Sequence, residues 1–216
     1  MRRAISILLL LAGPVLPRPH AFPAQQVVDR IVARVEDDII TLSEVRELGR
    51  YQELAQGHAD GDDRLLALLV QQWIVNTEAT AARFPRPSEA DVSRELERLE
   101  KQLASPDAYR ERLVRLGLSA AAVRRQTERQ LYLSRYLDYK FRPAAQVDTA
   151  AIEKYYRDKL VPSLAARGQA APSLETVEEQ IRELLIQRDI NQRAERWLEE
   201  TRSRLKIEIA APGGGS

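Results

Sequence analysis

The sequence predicts a mainly α (α+β) protein: a multi-helix core with a small β-sheet formed by an N-terminal hairpin and the C-terminal strand. Three observations carry this. Ala, Leu, Arg and Glu dominate the 216 residues, and all four favour helix. Three Phe and nine Gly argue against a sandwich or barrel. The two ends also match. Residues 27–45, VVDRIVARVEDDIITLSEV, pattern as a hairpin running into a capped helix, and residues 172–209 pattern as a long amphipathic helix ending in one short strand. A lone short strand is not stable by itself, so it needs the edge that the hairpin offers.

Along the first strand Ile31, Ala33 and Val35 alternate with Arg30, Val32 and Arg34, one apolar face against one that carries both arginines. Asp37-Asp38 is the expected turn. Thr41-Leu42-Ser43-Glu44 fits a capping box, which starts a helix near residue 42 and carries it to about Gly57. GHADGDD (57–63) reads as a loop. The next helix, 64–84, is apolar around much of its girth through Leu66, Leu69, Val70, Trp73, Ile74 and Thr77, and should be the central buried one.

Pro85 and Pro87 end that helix, and Ser88 caps the next, with Val92, Leu96, Leu99 and Leu103 at helical spacing. Ser105-Pro106 opens a shorter helix that Gly117 closes. Ser119 caps a longer one over 120 to about 141, stopped by Pro143. Residues 148–168 start as helix with Pro162 as a break, and GQAAP (168–172) is a short linker. The last helix runs from Ser173 to about Arg202, and Leu205, Ile207 and Ile209 alternate with Lys206 and Glu208 as the closing strand.

The division of the chain follows. Residues 1–24 carry two arginines and then an apolar run broken by Gly13 and Pro14, the layout of a secretory signal cleaved after Ala21 or Ala24, with an uncleaved anchor as the alternative. Residues 25–142 form the N-terminal core, 143–171 a helix and linker, 172–209 the C-terminal helix and strand that complete the core. APGGGS (211–216) falls in a disordered tail, 210–216, native or appended. Arg2, Arg3 and Arg18 lie in the first segment, which has no acid; removing them from the formal +1 leaves −2, which disfavours a nucleic-acid partner. The chain has no cysteine, which excludes disulfides, thiol chemistry and a lipoprotein form.

Element by element, the chain resembles the chaperone domain of SurA-type periplasmic proteins, the SurA N-terminal domain family. The matching stretches are VVDRIVARVEDDIITLSEV, LVQQWIVNTEA (69–79), PSEADVSRELERL (87–99), YRERLVRLGLSAAAVRRQTERQLYLSRYL (109–137), VDTAAIEKYYRDK (147–159) and the helix and strand from Pro172. Such proteins usually carry about a hundred residues of parvulin isomerase between the last two stretches. Here twelve residues separate Lys159 from Pro172. The resemblance therefore implies a chaperone core without the catalytic domain: not an enzyme, with no cofactor.

Composition points the same way, since His58 is the sole histidine beyond the signal and the single Met is the initiator. His58 with Asp60, Asp62 and Asp63 has neither EF-hand nor HExxH spacing and reads as a solvated loop rather than a metal site. Arg124, Arg125 and Arg129 beside Tyr132 are weighed as a nucleic-acid face, but Glu128 makes them an ordinary solvated helix side.

The candidate peptide-binding residues are aromatic: Tyr132, Tyr136, Tyr139 and Phe141, with Tyr155 and Tyr156 further on. The spacing of Tyr132, Tyr136 and Tyr139 puts them on one helical face, either packed in the core or forming a partly exposed rim for extended peptides. Trp73 and Trp197 are expected in the core. The expected function is an ATP-independent periplasmic holdase. Its partners would be unfolded exported polypeptides, including outer-membrane barrel precursors, with no stable membrane insertion after signal cleavage. The alternatives are an assembly subunit whose groove holds a dedicated partner or a second copy of the chain, and, behind it, a peptidyl-prolyl isomerase.

Overall fold

β1 (Ile31–Val35) and β2 (Asp38–Thr41) form an antiparallel hairpin, and β3 (Ile207–Ile209) pairs antiparallel on the other side of β1. The sheet order is β2-β1-β3, so the first strand is central and the last lies at an edge. The computed structural model describes residues 29–103 and 105–210. The signal expectation falls outside them, as does the tail at 211–216; Ala210, expected in the tail, instead donates its N–H to the Val32 carbonyl at 2.9 Å.

The hairpin turns at Glu36-Asp37, one residue earlier than the sequence predicts. Two distant partners account for the shift. The Asp38 carboxylate accepts the Trp73 indole N–H at 2.7 Å, which draws Asp38 into the strand. Glu36 takes a left-handed φ of 51°, and there it bonds Lys206 twice: its N–H donates to the Lys206 carbonyl, and its carboxylate accepts the Lys206 N–H at 2.8 Å. A non-glycine residue at positive φ costs about 1–2 kcal/mol, comparable to what these two hydrogen bonds return.

α1 (Leu42–Gln56) follows β2 directly, with the Thr41 N–H donating to Glu44 at 2.8 Å. It ends on Gly57 in the left-handed region, as the sequence predicts. α2 (Asp62–Ala81) starts two residues before the expected point, because Asp62 and Asp63 suit the positive end of the helix. It also stops early. Arg83 adopts φ 52° and the Phe84 N–H reaches back to the Ala79 carbonyl, a turn that throws Phe84 onto the body. Gly49 lets α1 and α2 close up, since a Cβ there would lie 2.9 Å from Leu65 Cδ1.

α3 (Glu89–Lys101), α4 (Pro106–Leu116) and α5 (Ala120–Phe141) are capped by Ser88, Ser105 and Ser119, each hydroxyl accepting a backbone N–H of the first turn. All three boundaries agree with the sequence. Asp91 then joins helices: its carboxylate accepts from Arg135 of α5 at 2.8 Å and from the Ser88 hydroxyl at 2.7 Å. Those contacts, Arg135 first, hold the Asp91 carboxyl well below its usual 3.8.

Pro162 does not break the next helix. α6 (Thr149–Tyr155) continues through a π-helical turn at Tyr156–Leu160 into α7 (Val161–Ala165), with the Val161 N–H bonding the Tyr156 carbonyl. The wider turn accommodates a proline that lacks an N–H and crowds the carbonyl four residues back. α8 (Leu174–Arg202) then spans the molecule. Its first half packs Val177 and Ile181 against Ile152 of α6, while its second half sets Trp197 and Leu198 against the sheet, α2 and α5.

One core cluster joins the sheet to α1 and α2 through Ala33, Val35, Ile40, Val45, Leu48 and Ile74. A second joins α1, α3, α4 and α5 around Tyr51, Leu99, Leu113 and Val123, and there the Tyr51 hydroxyl meets Thr127 at 3.1 Å. Among the described residues no helix is long and apolar enough to cross a membrane.

Deleting residues 172–209 should remove both the edge strand and side chains from three core clusters. Circular dichroism and gel filtration should then report an unfolded or aggregated chain. The acid limb offers a finer check. A depressed carboxyl stabilises the fold above its unfolded value of 3.8, and that contribution is lost as pH falls through this value toward the folded one. Asp91→Asn should therefore lower stability near neutrality and flatten the loss measured by denaturant titration between about pH 4 and pH 2.

Candidate functional site

α5 carries most of the candidate aromatic residues, and its burial varies along its length. Tyr132 and Tyr136 are 1% and 4% exposed and pack with Val75, Ala79 and Leu133. Neither can meet a ligand, because the face they share is the one α5 turns toward α2. Burial, and then the charge of Glu78, raises the Tyr136 phenol above its usual range. Tyr139, one turn further, is 64% exposed. Phe84 bridges the two environments, with ring centroids 5.8 Å from Tyr132, 5.5 Å from Tyr136 and 5.2 Å from Tyr139.

Phe141 packs against Trp197 at 5.8 Å and is half-buried. Tyr155 and Tyr156 belong to a separate cluster, under the first half of α8. There the Tyr156 hydroxyl donates to the Pro172 carbonyl at 2.7 Å and Arg188 lies 4.9 Å over the Tyr155 ring. The six sequence candidates thus do not form one surface. Tyr139 alone among them is well exposed.

The structure instead opens a cleft of about 410 Å3 between β2, α2 and α5. Its floor is apolar: Ile39 and Ile40 of β2, with Leu69 and Trp73 of α2. Ile39 is 46% exposed, and Trp73 is half-buried rather than a core residue. An indole N–H needs an acceptor, and Asp38 at the surface supplies it, which fixes the ring at the cleft edge. Gln72 and Asn76, one turn apart on α2, add side-chain amides, and the Gln72 Oε1 is buried with no hydrogen-bond partner.

Arg125 and Arg129 of α5 and Arg86 of the α2–α3 turn form the walls, with Glu44 and Glu128. Arg86 is held by its guanidinium lying 4.1 Å over the Tyr132 ring, so the buried tyrosine positions a cleft residue without lining the cleft itself. Arg125 approaches Glu47 at 3.7 Å, and Glu44 is engaged by the Thr41 N–H. The arginine stretch on α5 is therefore divided: Arg124 pairs with Glu89, while Arg125 and Arg129 face the cleft. Sequence reasoning singled out that stretch but missed Arg86, whose role depends on the turn after α2.

The acidic loop has a structural use. Asp60 accepts from the Gln52 amide at 3.0 Å and pairs with Arg64, while Asp62 and Asp63 begin α2. Among the described residues no group of three or more His, Asp or Glu could hold a metal ion. No protein-family model matches the chain, and no curated protein matches it.

The division among the tyrosines is testable by urea unfolding. Tyr132→Ala should cost about 3–5 kcal/mol, as removal of a buried aromatic ring does. Tyr139→Ser, at the exposed end, should stay within about 0.5 kcal/mol.

Proposed function

We propose that the protein is an ATP-independent holdase that binds unfolded exported polypeptides, outer-membrane barrel precursors among them, in the periplasm. One observation supports this reading above the others. Apolar side chains that could have been covered, Ile39 and Trp73 with Ile40 and Leu69 beneath them, are left along an open cleft beside a rigidly closed sheet. A shallow apolar floor suits transient binding of many sequences, with modest affinity and spontaneous release. The resemblance to SurA-type chaperone domains adds to it, as does the pairing of the C-terminal strand with the N-terminal hairpin. Exposed barrel strands, with their alternating apolar face, are the natural ligands.

The experiment is suppression of aggregation of a chemically unfolded outer-membrane barrel protein diluted into buffer. Light scattering should fall in proportion to added protein, without nucleotide. No suppression at several-fold molar excess overturns the reading. Proline-limited refolding of a model substrate should not accelerate, and acceleration would assign an isomerase activity instead.

A further inference from the structure

The charges around the cleft say more than that its floor is apolar. We propose that the cleft between β2, α2 and α5 selects segments of non-native polypeptide in which an apolar side chain is flanked by Asp or Glu. This rests on the holdase reading and names the class of segment it would take.

Three features lead there. The first is the floor of Ile39, Ile40, Leu69 and Trp73, in a volume of about 410 Å3 that admits one large apolar side chain with its neighbours. The second is the wall. Three guanidiniums face two carboxylates, which leaves one positive charge in excess; Glu44 keeps its charge while accepting the Thr41 N–H. Arg125 keeps a looser contact with Glu47 at 3.7 Å, and neither Arg86 nor Arg129 has a carboxylate within 4 Å among the described residues. Glu128 lies between Arg125 and Arg129 on the same helix and sets a limit, since it would repel a ligand carboxylate placed directly above it. The lining cations without a carboxylate partner among the described residues are therefore Arg86 and Arg129, beside the apolar floor.

The third is pre-positioning. Arg86 is stacked on Tyr132 at 4.1 Å, so less side-chain freedom remains to be lost when it meets an anion. Carboxylates for the walls and an apolar side chain for the floor together describe an acidic apolar peptide.

The test uses the full chain and three acetylated, amidated peptides with one Leu-Phe-Leu centre flanked by Asp and Glu, by Lys, or by Ser. Affinity is read by anisotropy of the labelled peptide and by emission of Trp73, one of the two tryptophans. The acid-flanked peptide should bind about tenfold tighter than the Lys-flanked one, with the gap closing at high salt. Arg129→Glu should erase that preference while the circular dichroism spectrum stays unchanged. Equal binding of all three peptides overturns the charge selection and leaves the holdase reading standing. So does a preference that survives both Arg129→Glu and Arg86→Gln. Selective binding with no suppression of aggregation supports the cleft's ligand class and removes the holdase.

Discussion

β1 has a strand on each side, and one of them comes from the far end of the chain. Everything else is arranged around that constraint. Ala33 and Val35 are buried at 1% and 0% because β2 and β3 flank them and α1 and α2 lie beneath. Glu36 accepts a strained backbone to grip Lys206 with both its amide and its carboxylate. α8 must reach from the α6 region to the sheet to deliver β3, which is why its 29 residues serve three clusters. Pairing of strand with strand thus fixes the longest helix, and that helix in turn holds α5 through Arg142, which bonds Glu183 at 2.7 and 3.0 Å.

The cleft inherits its rigidity from the same source. Its floor is the outer strand of the hairpin together with α2, and Trp73 is pinned by Asp38 at the start of that strand. Its far wall depends on a turn. Arg83 at positive φ sends Phe84 into the aromatic cluster, and two residues later Arg86 comes to rest on Tyr132. A guanidinium that lines the cleft is therefore held by a buried side chain that does not.

Much of this was legible in the sequence where the cause is local. Ser88, Ser105 and Ser119 are caps and Gly57 and Gly117 are stops, because each acts within one turn of itself. The mainly helical body and the three-stranded sheet follow from such signals plus the unpartnered final strand. What escaped depends on partners far along the chain. The turn moved to Glu36-Asp37 for the sake of Trp73 and Lys206, and no hairpin rule contains either. Pro162 looked like a break because a proline is judged by the preceding turn, and the π-helical turn relieves it. Helical spacing placed Tyr132 and Tyr139 on one face correctly, but spacing says nothing about where the body beneath a helix ends.

The bond between Glu36 and Lys206 spans 170 residues, and this has a consequence for how the protein is made. A chain grown from its N-terminus at about 5–20 residues per second displays the hairpin for roughly 10–30 s before its partner strand exists. Throughout that interval the central strand has a bare edge. Closing so long a loop also makes the final pairing slow relative to the helices, which assemble from near neighbours. The newborn molecule accordingly passes through a state with an unpaired strand edge.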